Sequence, residues 1–150
     1  MSDAATVRIF TIGFTKKNAR EFFSLLEKAG VKRVVDVRLN NVSQLAGFAK
    51  KDDLQFFLER FGMGYVHLPI LAPTQEMLDA YKKEKGPWGE YEKKFLALMA
   101  ERHIETVVPR ETLHEGCMLC SEETPEQCHR RLVAEFLKGQ WGHVDIKHLV

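Results

Sequence analysis

Apolar positions along the chain follow two alternating rhythms. Val7 to Ile12 is a mostly apolar run closed by Gly13, which predicts a first strand. Phe22, Leu25, Leu26 and Ala29 then fall at i, i+3, i+4 and i+7, the stripe of an amphipathic helix, and Gly30 follows as its stop. Val34-Val35-Asp36-Val37 is a second strand, almost unbroken and rich in β-branched residues, the pattern of a strand covered on both faces. Leu54, Phe57, Leu58 and Phe61 repeat the helical spacing, with Asp52 or Asp53 as cap and Gly62 as stop. Tyr65 to Leu68 predicts a third strand, ended by Pro69.

Residues 73–90 are less regular, with a short helix near Glu76 to Lys83 and then Gly86-Pro87. A stronger helix carries Tyr91, Phe95, Leu98, Met99 and Arg102 on one side, and Gly116 to Cys120 predicts a fourth strand. Thr124-Pro125-Glu126-Gln127 has the form of a capping box, so a helix is expected from Thr124 to about Lys138. Val144 to Leu149 alternates as a final edge strand. Strands alternating with helices over short loops predict a single three-layer α/β domain over residues 1–150. Its sheet is mostly parallel, with about five strands flanked by helices in a Rossmann-like arrangement. In such a sheet a ligand site lies at the C-terminal ends of the strands.

Composition narrows the class without changing this picture. Lys and Arg number 22 against 21 Asp and Glu, a net charge of +1, and hydrophobic residues make up 45% of 150. That balance excludes a polybasic nucleic-acid domain as the organising principle, though not a local basic patch. No run approaches the roughly 20 apolar residues that span a bilayer. Met1-Ser2-Asp3-Ala4-Ala5 lacks the features of a signal peptide, and three cysteines is an odd number at low density. The expectation is a reduced, cytoplasmic protein without membrane partners.

Several polar residues follow strands and so fall on the expected functional edge. Gly13-Phe14-Thr15 offers a tight turn before a helix N-terminus, where Gly13 and Thr15 could help hold an anion. Asp36 and Arg38 share one face of their strand, so Asp36 is expected to receive backbone N–H groups or an arginine. Arg38 is either the fork for a carboxylate or phosphate, or half of an internal ion pair. Ser43, Gln44 and the turn 46–50 would form a loop over the same edge. At the far end, Cys117, Cys120, Cys128 and His129 resemble four zinc ligands. However, Cys117 and Cys120 are three apart on a strand, face opposite ways and lie about 10 Å from each other. No metal or other cofactor is therefore expected. Cys120 and Cys128 remain candidate reactive thiols, the latter in the first helical turn near Arg130 and Arg131. His129 and Glu122 are candidate proton carriers, and Arg130 a candidate anion ligand. Each has a plain structural alternative: Cys as a small buried hydrophobe, His129 as a core histidine on the inward helix face.

Taken together, Thr11-Ile12-Gly13-Phe14-Thr15, Asp36-Val37-Arg38, Ser43 to Phe48, Tyr65 to Pro69, and Leu119-Cys120-Ser121-Glu122 with Cys128-His129-Arg130-Arg131 resemble one family, the domain of unknown function 488. The resemblance spans about residues 8–149. It implies an α/β fold and a motif-bearing edge, and no established reaction. The family pattern usually has His-Ser after the first glycine and Ser-Arg in the following loop. Phe14-Thr15 and Ser43-Gln44 stand here instead. No role resting on a histidine at 14 or an arginine at 44 carries over.

Three functions compete at this level. The first is an enzyme or binding domain for a small anionic ligand, such as a nucleotide or phosphorylated metabolite, using Arg38, Arg130, Cys120, Cys128, His129 and Glu122. The Cys-five-Arg spacing of tyrosine phosphatases is absent, since the first Arg after Cys120 is Arg130. The second is a nucleic-acid-binding or nucleic-acid-processing accessory module. It would use the pairs Lys50-Lys51, Lys82-Lys83, Lys93-Lys94 and Arg130-Arg131, with Phe48, Trp88 and Tyr91 for stacking. The third is a non-catalytic interaction or regulatory domain.

Overall fold

The computed structural model describes residues 6–41, 47–122 and 125–150. Five strands, β1 (Val7–Gly13), β2 (Arg33–Asp36), β3 (Gly64–His67), β4 (Gly116–Cys120) and β5 (Val144–Leu149), form one sheet in the order β3-β2-β4-β1-β5. Every ladder is parallel, so the expected mostly parallel sheet is wholly so, with β5 on one edge. Parallel neighbours need crossovers, and helices supply them on both faces. This is the three-layer α/β architecture that the alternating rhythms predict.

Strand alternation divides the interior into two cores. Phe10, Ile12, Val34, Cys117 and Leu119 pack against α1 (Ala19–Ala29) and α2 (Lys51–Arg60) through Phe22, Leu26, Leu54 and Leu58. Ile9, Val35, Met118 and Cys120 face the other way. They meet Phe95 and Met99 of α4 (Trp88–Glu101) and Leu132, Val133 and Leu137 of α7 (His129–Trp141). Between α2 and α4 lie α3 (Gln75–Leu78) and the π-helical turn Asp79–Lys83 that continues it. Two four-residue helices, α5 (Ile104–Val107) and α6 (Arg110–Leu113), precede β4. They are too short to produce an amphipathic stripe, and the apolar pattern does not signal them.

Local contacts set the starts of three helices, and those of α2 and α7 differ from expectation. Helix α1 begins with a full capping box, in which Asn18 and Glu21 exchange side-chain and backbone bonds. Helix α2 has Lys50 at its cap position, and Asp52 and Asp53 lie in its first turn beside the positive end of the helix dipole. Helix α7 begins at His129 rather than Thr124, with Cys128 in extended conformation at the cap position. Pro125 to Cys128 form a turn closed by the Cys128 N–H donating to the Pro125 carbonyl. The proline and capping pattern therefore organise the turn before the helix. Thr124 itself, like Ser43 and Gln44, lies outside the described residues. Among the described residues no helix is long and apolar enough to cross a membrane.

The topology fixes where a site can form. Connections leaving β1 and β2 run over the α1–α2 face, while those leaving β3 and β4 run over the α4–α7 face. β2 and β4 are neighbours in the sheet. At their C-terminal ends the chain therefore departs in opposite directions and leaves a crevice, the switch point at which open α/β sheets place their ligands.

Candidate functional site

The crevice is a cleft of about 140 Å³ lined by residues from four segments. Arg38, Leu39 and Asn40 follow β2, and Cys120, Ser121 and Glu122 end and follow β4. Gln127, Cys128 and His129 begin α7. Tyr81, Lys82, Trp88 and Tyr91 come from the π-helical turn and the start of α4.

Asp36 and Arg38 build one wall. Asp36 is fully buried, and a carboxylate there is tolerable only with partners. Arg38 Nε and Nη2 donate to Asp36 Oδ1 and Oδ2 at 2.8 Å each, and the Arg38 backbone N–H also donates to Oδ1. The Tyr65 hydroxyl donates to Oδ2 at 2.6 Å and itself accepts from Asn41 Nδ2. Burial alone would raise the Asp36 pKa, but the Arg38 hydrogen bonds and charge, with Tyr65, hold it below the usual carboxylate value. The same network raises the Tyr65 phenol well above its ordinary range, first by burial and then by the neighbouring carboxylate. Arg38 is only 4% exposed, and its Nη1 has no hydrogen-bond partner among the described residues. Two of the three guanidinium nitrogens thus grip Asp36, and the third makes no hydrogen bond among the described residues. His67 supports the wall from outside the cleft, its Nε2 2.8 Å from the Arg38 carbonyl.

Arg130 lies beneath the cleft and is absent from its lining. It is fully buried, with Nε donating to Thr11 Oγ1, and Nη1 donating to the Glu122 carbonyl at 2.8 Å and to Cys120 Sγ at 3.3 Å. Burial lowers its pKa to about 10, which leaves it charged at neutral pH. Gly13 belongs to the same arrangement: a Cβ there would overlap the Glu122 carbonyl oxygen and come within 3.0 Å of Arg130 Nη1. Thr15 donates its backbone N–H to the Ser121 carbonyl. Gly13, Thr15 and Arg130, expected on the sequence to touch an anion, here shape and hold the loop after β4.

Glu122 is a candidate proton carrier on the sequence. Its carboxylate meets Lys82 at the rim, and only its main-chain carbonyl reaches Arg130. The opposite wall is aromatic. Tyr81, Trp88 and Tyr91 pack with ring centroids 5.1–5.5 Å apart, and burial keeps the Tyr91 phenol neutral. Tyr81 and Trp88 come from the segment whose apolar pattern is least regular. On the sequence Trp88 and Tyr91 are candidates for stacking on nucleic acid, Tyr91 also for the apolar side of its helix, and Tyr81 has no role. Of the basic pairs behind that reading, Lys82, Lys83 and Arg131 pair with Glu122, Asp79 and Glu135.

The floor is Cys120, Cys128 and His129. Cys120 and Cys128 are each 2% exposed, and their sulfurs meet as a disulfide while their Cα atoms stand 7.6 Å apart. The sequence kept these as separate candidate thiols, since the path from 121 to 127 does not say where residue 128 returns. Cys117 is buried on the opposite face, as alternation requires, and burial raises its pKa so that it stays a thiol. His129 Nε2 lies 2.7 Å from the Val37 carbonyl, which can only accept, so Nε2 carries the hydrogen. Burial lowers its pKa to about 4, and the ring is neutral near pH 7. Ligand atoms of Cys120, Cys128 and His129 all lie within 4.8 Å of one another. Removing Cys117 disposed of a four-ligand site, but not of this three-residue one.

Fold and crevice together define a parallel α/β domain with a cleft at its topological switch point, walled by a buried ion pair and an aromatic cluster and floored by sulfur and imidazole. The chain belongs to the family described as Domain of unknown function DUF488, whose model matches residues 18–137. The match takes in both halves of the cleft, from Arg38 to His129. Neither the curated proteins nor the solved structures gave a match.

Proposed function

We propose that this domain binds a small anionic molecule in the cleft between β2 and β4 and holds it over the Cys120–Cys128 pair. The observation that carries the reading is Arg38: a buried guanidinium on the cleft wall, locked in orientation by Asp36, with one nitrogen unpartnered among the described residues. A preorganised donor of this kind suits a carboxylate or phosphate oxygen, and its orientation costs nothing further on binding. The aromatic wall of Tyr81, Trp88 and Tyr91 suits a flat or apolar body attached to that anion. Size restricts the choice. At about 140 Å³ the cleft is close to the roughly 150 Å³ that admits benzene, so it takes a ring-sized anion or the anionic end of something larger. In the dithiol state Cys120 would be the nucleophile of choice, because the Arg130 charge beside its sulfur favours thiolate.

Trp88 provides the test. The chain has two tryptophans, and Trp141→Phe leaves Trp88 on the cleft wall as the single indole reporter. Titration with phenyl phosphate and with inorganic phosphate is expected to change its emission saturably. In the Arg38→Lys background, which keeps charge but loses the fork, affinity should fall about tenfold, or ~1.4 kcal/mol. No saturable response from either anion at millimolar concentration, with folding verified by circular dichroism, rules the reading out.

A further inference from the structure

The floor of the cleft has the donor set and spacing of a metal centre, and this inference stands whether or not an anion binds above it. We propose that Cys120, Cys128 and His129, with the Cys pair reduced, hold a zinc-class divalent cation whose fourth coordination position opens into the cleft.

Four observations converge on it. First, the three ligand atoms lie within 4.8 Å of one another. A tetrahedral ion with bonds of about 2.3 Å to sulfur and 2.0–2.1 Å to nitrogen needs its ligand atoms roughly 3.4–3.8 Å apart, which the bonded sulfurs reach by parting when the disulfide opens. Second, the backbone is set for a bridge longer than a disulfide. The Cα atoms of Cys120 and Cys128 are 7.6 Å apart, beyond the usual range of about 4.4–6.8 Å for directly bonded cysteines. Third, outer partners are in place. His129 donates Nε2–H to the Val37 carbonyl, which leaves Nδ1 with its lone pair, and backbone carbonyls are common partners for metal-bound histidines. Arg130 Nη1 reaches Cys120 Sγ at 3.3 Å, a hydrogen bond that steadies a thiolate ligand and offsets its charge. Fourth, two thiolates and one imidazole with a vacant fourth position form a donor set typical of zinc sites that act on a ligand, whereas purely structural sites close all four. That vacant position would face the space lined by Arg38, Ser121 and the aromatic wall.

Opening the disulfide takes two electrons and two protons from two equivalents of a small thiol reductant, which are oxidised to their own disulfide, and yields two thiols. Metal binding then displaces the thiol protons to solvent, so the site is complete only in reduced protein.

The test uses full-length protein reduced with a phosphine under argon, with zinc or cobalt as the probe. After desalting, one metal per chain is expected. The cobalt form should show intense tetrahedral visible bands and near-ultraviolet thiolate charge-transfer absorption. Cys128→Ser should weaken binding by more than the roughly 10–100-fold typical of outer-shell losses, while Cys117→Ala should retain it. A second readout needs no variant: in reduced wild type, zinc should slow the reaction of two thiols with a disulfide reagent, and a chelator should restore it. Substoichiometric metal together with thiol rates unchanged by zinc overturns the proposal. So does cobalt bound without thiolate absorption. Because no anion is present, failure here leaves the phosphate titration of Trp88 unaffected, and the reverse is also true.

Discussion

Arg38 forms one wall of the crevice and Arg130 lies beneath it, yet their guanidinium groups are held in different ways. Arg38 is anchored by a carboxylate, borders the cleft, and keeps one nitrogen without a partner among the described residues. Arg130 is sealed under the floor, and its hydrogen bonds go to a hydroxyl, a sulfur and a main-chain carbonyl. Arg38 follows β2 and Arg130 lies in the first turn of α7, and both look like anion forks on paper. What separates them is the fate of the guanidinium after its structural bonds are made. In the proposed reading Arg38 is a recognition group fixed by its ion pair with Asp36, whereas Arg130 holds the loop after β4 through the Glu122 carbonyl and reaches the Cys120 sulfur.

Breaking the Arg38 anchor should have the largest effect. Asp36→Asn leaves a buried guanidinium without its counter-charge and is expected to cost about 3–5 kcal/mol, measured by denaturant unfolding. The Arg130 side is best disturbed through Gly13. Gly13→Ala drives a methyl group into the Glu122 carbonyl and is expected to cost about 1–3 kcal/mol, with displacement of the loop after β4. Trp88 emission should report that displacement in the Trp141→Phe background.

Acid provides a graded version of the first experiment. The folded-state pKa of Asp36 is depressed, so its contribution is fully present above the unfolded value of about 3.9 and is lost as pH falls through the folded one. The stability difference between wild type and Asp36→Asn should therefore be constant above about pH 5 and shrink progressively below pH 4. A gap that stays constant down to pH 2 would remove Asp36 as the charged anchor. The smallest effect is expected at the rim. Lys82→Ala breaks a pair whose side chains are 51% and 41% exposed, and should change stability by no more than about 1 kcal/mol while opening the cleft mouth beside Glu122.

Much of this arrangement is legible in the sequence, and the gaps have physical causes. The inner strands β1, β2 and β4 are found from short apolar runs because a parallel sheet covered on both faces leaves no other pattern, and the edge strand β5 from its alternation. The shared face of Asp36 and Arg38, and the opposite faces of Cys117 and Cys120, follow from alternation alone. Tyr65 was missed as a partner of Asp36. Its register supplies the signal, since Tyr65 pairs with Val34, two residues before Asp36 on the same face. The start of α7 was misplaced because Thr124 and Pro125 carry a strong helix-start pattern, while the preceding turn uses that proline's carbonyl to cap Cys128. The aromatic wall was not legible as part of the site. Tyr81 and Trp88 reach the cleft through a π-helical turn and a crossover from β3 to β4, and tertiary packing sets that path. The convergence of Cys120, Cys128 and His129 depends in the same way on where the seven residues 121–127 bring Cys128, which the sequence does not show.

Whether an anion lies against Arg38, in the crevice above the sulfur–imidazole floor, is read most directly from a crystal structure of the protein soaked in tungstate, located by anomalous scattering. An ion is expected within hydrogen-bond distance of Arg38 Nη1, inside the cleft lined by Asn40, Ser121 and Tyr81. Tungstate found only on the surface group of Lys16, Lys17, Arg20 and Lys28, with the cleft empty at full soaking concentration, would contradict it.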